Sequence, residues 1–169
     1  MNNFKYLTLS DVNQDILDIR KEVFIDEQNV PIEIEYETNE NEKTHCCLYL
    51  DNNLVAYGRI VISCMHTSDS PACKHTSDNV RVGRVCVRIE YRGLGYGKKI
   101  MNYIERIVKE YGFKNIEIHA QLHALDFYKS LGYQVMGKVF FEAGIAHVEM
   151  KKLIATKLPT PLYCYLQHL

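Results

Sequence analysis

The chain predicts one α/β layered domain built around a mixed sheet. Three observations carry that expectation. The 169 residues, 47% hydrophobic and 24% charged, suit one globular domain with a real core. Apolar runs of strand character alternate along the chain with amphipathic helical stretches. The longest helical stripe follows a strand directly, through a turn with glycines at three alternate positions.

Residues 4–9 read as a short strand. Over 10–25, Val12, Ile16, Leu17, Ile19, Val23 and Phe24 keep a helical spacing, with Ser10 as the expected N-cap. The acidic stretch 27–43 reads as a loop broken by Pro31. Strands are expected at 45–50 and 54–63, joined by the turn Asp51-Asn52-Asn53. A third long strand covers 81–89. Ile100, Met101, Ile104, Ile107, Val108 and Tyr111 then mark a helix over 97–111, stopped by Gly112. A strand at 114–120, a short helix at 122–131 stopped by Gly132, and strands at 133–140 and 145–152 complete the core. The tail 153–169 holds Pro159 and Pro161 and reads as extended, with Leu158, Leu162, Tyr163, Tyr165 and Leu166 able to pack on the domain or on another subunit.

Composition narrows the function. Twenty Lys and Arg against 21 Asp and Glu leave a net charge of −1, so general nucleic-acid binding lacks its basic surplus. No run of 18 apolar residues would span a membrane, and the N-terminus has no apolar leader core. The six cysteines, Cys46, Cys47, Cys64, Cys73, Cys86 and Cys164, form no CxxC pair, which fits reduced thiols in a cytoplasmic protein. Residues 64–69 (CMHTSD) are nearly repeated at 73–78 (CKHTSD), which sets out Cys64, His66, Cys73 and His75. One residue between each Cys and its His is tighter than a compact zinc site usually has, so a polar loop insertion is the expectation and no metal is assigned. A zinc-dependent interaction domain is the alternative.

The strongest local signal is Val85-Cys86-Val87-Arg88-Ile89-Glu90-Tyr91-Arg92-Gly93-Leu94-Gly95-Tyr96-Gly97. Glycines let the backbone approach a ligand closely, and the N–H groups at a helix start attract an anion. This is a phosphate or pyrophosphate cradle; the alternative is a glycine-rich connection that holds no ligand. A P-loop fails because Lys99 stands where Ser or Thr is needed, and a dinucleotide motif would need its last glycine one position later.

Arg92-x-x-Gly95-x-Gly97 resembles the acetyl-CoA signature of the GNAT N-acetyltransferase superfamily. So does Ala124-Leu125-Asp126-Phe127-Tyr128-Lys129-Ser130-Leu131-Gly132-Tyr133, which is similar to its A-x-x-F-Y-x-x-x-G-F/Y element. The segments at 22–31, 119–121 and 142–150 resemble a bacterial-type branch of the same superfamily. The resemblance implies a mostly antiparallel sheet with a V-shaped split between two parallel strands, here those at 81–88 and 114–120. Acetyl-CoA would lie in the split as co-substrate. Backbone groups of Cys86 and Val87 would meet the pantetheine arm, and the N–H groups of Arg92, Gly93, Leu94, Gly95, Tyr96 and Gly97 the pyrophosphate. Lys98 or Lys99 could meet a phosphate, though paired lysines on a helix are also an ordinary solvated face.

Tyr128 matches the general acid of the family, the alternative being a core aromatic. Base candidates are His119, His147, Glu142 and Glu149, each histidine also readable as a satisfied core residue. Glu27, Gln28, Arg84, Gln121, Glu142 and His147 are the expected acceptor-site residues. The acceptor is expected to be a small amine, and the leading candidate is an amino-sugar phosphate such as glucosamine 6-phosphate. Arg20, Arg59, Arg81 and Arg84 are the candidate phosphate contacts. Glu33, Glu35 and Glu37 could instead build an acidic pocket for a polyamine. Amino acids, aminoglycosides, a peptide N-terminus and a non-catalytic acyl-CoA sensor stay open. A homodimer is expected by analogy with the fold alone.

Overall fold

The structure is a computed structural model that describes residues 3–36, 43–62 and 78–154. The order of elements is β1 (Phe4–Leu9), α1 (Gln14–Arg20), a π-helical continuation (Lys21–Glu27), α2 (Ile32–Glu35), β2 (Lys43–Leu50), β3 (Asn53–Val61) and β4 (Asn79–Val87). Then come α3 (Tyr96–Glu110), β5 (Asn115–Gln121), α4 (Leu125–Ser130), β6 (Gln134–Val135), β7 (Phe140–Glu142) and β8 (Ile145–Leu153). Short 3₁₀ turns at Ile89–Tyr91 and Leu122–Ala124 introduce α3 and α4.

The described strands form one sheet in the order β1-β2-β3-β4-β5-β8-β6, with β7 also on β8. Every pairing is antiparallel except β4 with β5. That pair is parallel because α3 carries the chain back between them, the usual reason for a crossover helix.

Alternation sorts the strands into two cores. Cys46, Leu48, Val80, Val82, Ile116, Ile118, Val148 and Met150 face α3, whose stripe of Ile100, Met101, Ile104 and Val108 is fully buried. Cys47, Tyr49, Tyr57 and Cys86 face the other way, onto Ile16, Ile19, Val23 and Phe24. Strands β2 and β3 are covered on both faces, which is why their sequences read as near-continuous apolar runs. On β5, by contrast, the face away from α3 carries Glu117, His119 and Gln121. The polar half of that alternation supplies the site.

Local chemistry explains the boundaries. Asp51 and Asn52 both sit at positive φ and close the β2–β3 hairpin as a two-residue turn. The first helix starts later than expected. Asn13, not Ser10, caps it, its side chain accepting from the Ile16 N–H at 3.0 Å. Pro31 does not interrupt the acidic loop. It opens the single turn of α2, where its missing N–H costs nothing. The strand expected at 133–140 is two short pieces, β6 and β7, separated by an exposed stretch around Gly137. Both pieces pair with the long β8, and Ala143 and Gly144, at positive φ, turn β7 into it as a hairpin.

Cys46, Cys47 and Cys86 are buried free thiols. Cys64, His66, Cys73 and His75, Glu37, Cys164 and the tail beyond Ile154 lie outside the described residues. No helix of the described residues is long and apolar enough to cross a membrane.

Candidate active site

Strands β4 and β5 pair only from Asn79↔Asn115 to Val82↔Ile118. Beyond that point β5 runs on to Gln121 and β4 to Val87 without a bond between them. The cause of the split is local. Between Tyr57↔Cys86 and Arg59↔Gly83, β4 carries one residue more than β3, so it bulges. Arg84 sits in the bulge at φ 54°, a conformation that costs a non-glycine residue about 1–2 kcal/mol. Its side chain offsets that cost. Arg84 Nε lies 2.7 Å from Glu35 Oε2, its Nη2 donates to the Ile34 carbonyl at 3.1 Å, and the guanidinium stands over the Phe24 ring.

The split opens into a cleft of about 1000 Å³. Residues 92–98 form one end. Gly95 adopts φ 83° as the residue before α3, a position that suits glycine. The first intrahelical bond is Lys99 N to Gly95 O, so the N–H groups of Tyr96, Gly97 and Lys98 have no acceptor within the helix. No side chain caps them and no acidic residue occupies the first turn. These are the features of an anion site at a helix start. Gly97 is needed for packing: a Cβ there would meet the Phe127 ring at 3.2 Å.

Arg92 supports this loop from below. It donates to Glu27 in a bidentate pair, at 2.7 Å and 2.6 Å, and through Nε to the Val87 carbonyl at 2.9 Å. The Arg92 guanidinium holds the Glu27 carboxyl below its ordinary value. Just past the end of β4, the Arg88 N–H donates to the Val55 carbonyl on β3. Alternation then turns the Val87 N–H to the opposite side, into the split. Tyr128, 7% exposed, lies in the same cleft, edge-on to Phe127 and Tyr133. Burial, with the neighbouring Cys86, pushes its phenol above its ordinary value and keeps it protonated.

The other end is made of side chains. Opposite residues share a face, so Arg59, Arg81, His119 and His147 come onto one side of the sheet. Arg81 Nη2 donates to His119 Nε2 at 2.8 Å, and His119 Nδ1 lies 2.6 Å from Glu142 Oε1. Because guanidinium has no acceptor, Nε2 must carry the lone pair and Nδ1 the proton. His147, 8% exposed, donates through Nδ1 to the Ile145 carbonyl at 2.8 Å. Phe140 lies between the two imidazoles, edge-on to His119 and stacked on His147. Gln121 and Gln28 bond to each other at 2.8 Å and tie β5 to the end of the first helix.

Glu35 lines this end and is surrounded by cations. Arg20 Nε holds its Oε1 at 2.6 Å, Arg84 its Oε2, and Arg59 acts on it electrostatically. Burial pushes the Glu35 carboxyl up, and Arg84 and Arg20 pull it back. Counting the lining, Arg59, Arg81 and Arg84 face Glu35 and Glu142, so this end is cationic although the whole chain is nearly neutral.

The family of the acetyltransferase (GNAT) domain matches residues 8–154. The chain belongs to the GNAT acetyltransferase family. The uncharacterized protein YyaT of Bacillus subtilis is 34% identical over 159 residues, 92% of this chain and 99% of its own. A crystal structure from Lactobacillus plantarum superposes with a TM-score of 0.74 at 26% identity, over 90% of this chain and 99% of its own. An aminoglycoside 6′-N-acetyltransferase complexed with coenzyme A shares the fold, with a TM-score of 0.64 at 15% identity, over 93% and 99%. As a GNAT member, the chain is an acetyl-CoA-dependent N-acetyltransferase, with acetyl-CoA as co-substrate. The split sheet and the helix start described above fit that molecule in shape and charge.

The sequence-predicted residues divide clearly. Cys86, Val87, Arg92, Gly93, Gly95, Tyr96, Gly97, Lys98 and Tyr128 all line the cleft, as do Glu27, Gln28, Arg84, His119, Gln121, Glu142 and His147. Leu94 does not; it points outward, 62% exposed. Glu149 pairs with His119 in register but is not a lining residue, and Lys99 stands over Phe4. Arg20 is 0% exposed and locked to Glu35, so it is a structural cation and not a phosphate contact. Glu35 belongs to an arginine cluster and Glu33 is exposed outside the cleft, so the acidic pocket does not form among the described residues. His123 is a lining residue that no sequence motif singled out, and Glu35, expected only as part of an acidic pocket, lines the cleft among arginines.

Proposed function

We propose that the chain transfers the acetyl group of acetyl-CoA to the primary amine of a small molecule bearing an anionic group, with an amino-sugar phosphate such as glucosamine 6-phosphate as the leading acceptor. The observation that carries this is one cleft with an uncapped helix start at one end and a histidine–carboxylate pair inside an arginine-rich wall at the other. The cationic wall favours an anionic acceptor and disfavours a polyamine. A protein of the same fold is complexed with coenzyme A, which supports the choice of co-substrate.

Bound acetyl-CoA supplies a thioester that an uncharged amine can attack. The N–H groups of Tyr96, Gly97 and Lys98 bind its pyrophosphate, and Gly93 and Gly95 let that backbone approach. The Val87 N–H donates to the carbonyl oxygen on which negative charge grows. His119 takes the proton from the ammonium of the acceptor through Nε2. Glu142, on Nδ1–H, holds the tautomer and stabilises the imidazolium, a role that the neutral Ile145 carbonyl cannot give His147. Tyr128, kept protonated by its burial, donates to the departing thiolate and takes back the second proton that the acceptor nitrogen sheds on becoming an amide. Gln28, Gln121 and His147 shape the acceptor wall.

The test is release of CoA thiol from acetyl-CoA with glucosamine 6-phosphate, glucosamine, spermidine and a set of amino acids. Selective turnover of the anionic amines is expected. Selective turnover of spermidine overturns the acceptor class, and binding of acetyl-CoA without any turnover points to a sensor.

A further inference from the structure

The base of this site is covered. His119 Nε2, the nitrogen that must accept a proton, already accepts a hydrogen bond from Arg81. A guanidinium on that lone pair blocks it. Yet the other nitrogen is set on Glu142, the arrangement that makes a histidine a base. Arg81 meets a neutral imidazole through one N–H, whereas a guanidinium and an oxyanion form an ion pair that can be bidentate, the stronger kind of bond. Arg81 is exposed, on the first half of β4, and faces the same lining as Arg59 and Arg84. An oxyanion entering this wall would draw Arg81 from its weak partner to a strong one.

Resting on the proposed acetyl transfer, we propose that Arg81 is an anion-operated cover on the base: the phosphate or carboxylate of the correct acceptor takes Arg81 and thereby frees His119 Nε2 for the ammonium of the same molecule. The proton then moves from the acceptor nitrogen to Nε2, Glu142 pairs with the imidazolium, and the amine keeps the lone pair that attacks. Selection for an anionic acceptor is thus exerted on the chemical step as well as on binding, because an uncharged amine meets a capped base.

Arg81→Met separates this from a simple ligand role. With glucosamine 6-phosphate, kcat/KM should fall about tenfold or more, the scale of one lost charged hydrogen bond. With glucosamine it should rise, by about threefold or more, since the base is uncovered. That gain should vanish in Arg81→Met/His119→Ala. Unchanged glucosamine turnover would make Arg81 an anion ligand only, and a fall with both acceptors would make it structural; either result overturns the cover.

A measurement on the unaltered protein stands if the variant does not fold. Imidazole ¹⁵N spectra, with His119 assigned through His119→Gln, should show the Nε2 resonance move on adding inorganic phosphate or acetate while Nδ1 keeps its proton. Which anion acts at the lower concentration distinguishes a phosphate-bearing from a carboxylate-bearing acceptor. No movement with either anion overturns the proposal. If the protein acetylates no amine but His119 responds, the acetyl-transfer reading fails and the anion response of Arg81 stands.

Discussion

The α3 end of the cleft is made of main chain from one continuous stretch, residues 92–98, whereas the acceptor end is made of side chains from α2, β3, β4, β5, β7 and β8. The first binds with N–H groups that any sequence of the right backbone shape presents. Its specificity lies in two glycines that permit the path and in Arg92, which props the loop on Glu27. The second binds with charges whose meaning depends on who faces them: Glu35 would read as an anion site for amines were it not enclosed by Arg20, Arg59 and Arg84. Substitutions should therefore damage the first end through conformation and the second through unbalanced charge.

The largest expected effect falls behind the acceptor end. Arg20→Ala leaves Glu35 buried with one partner fewer and should cost about 3 kcal/mol of stability, read by urea denaturation. A loss below about 1 kcal/mol would show that Arg84 and Arg59 alone neutralise Glu35. Next comes Tyr128→Phe, between the two ends. It should lower kcat about 100-fold with little change in KM for acetyl-CoA. Because the phenol is held above its ordinary value of 10, the unaltered enzyme should show no Tyr128 deprotonation limb between pH 7 and 10.

Gly95→Ala tests the main-chain end. Forcing a Cβ at φ 83° should weaken acetyl-CoA binding about tenfold by calorimetry, and leave KM for the amine nearly unchanged. A loss of amine affinity instead would mean the two ends are not separable. The smallest effect is Glu27→Gln, since the pair with Arg92 is over a third exposed and worth less than about 1 kcal/mol. Its pH dependence has a definite sign. The carboxyl is lowered in the fold from 4.5, so the contribution is present above pH 4.5 and is lost as pH falls through the lower folded value. The difference between the two proteins in acetyl-CoA affinity should close over that window.

Much of the fold was legible because it rests on local rules. The stripe of Ile100, Met101, Ile104, Ile107 and Val108 marked α3, Gly112 marked its end, and Asp51 and Asn52 marked the hairpin. The first helix start was misplaced because Ser10 and Asn13 are both good caps, and only packing chooses between them. The segment 133–140 was read as one strand because its composition suits one, while its division into β6 and β7 is decided by the partner strand β8.

By itself, the sequence determined the family, the hairpin of β2 and β3, the helix start after residues 92–95 and the short helix that carries Tyr128, since each depends on residues close together in the chain. The tertiary structure decided the split at Arg84, the burial of Arg20, the encirclement of Glu35 and the Arg81–His119–Glu142 line. Those depend on strand register and on a one-residue bulge, which place side chains 23–49 positions apart within hydrogen-bond reach. The charge a group presents, and whether a lone pair is open, is a property of those neighbours and not of the residue type.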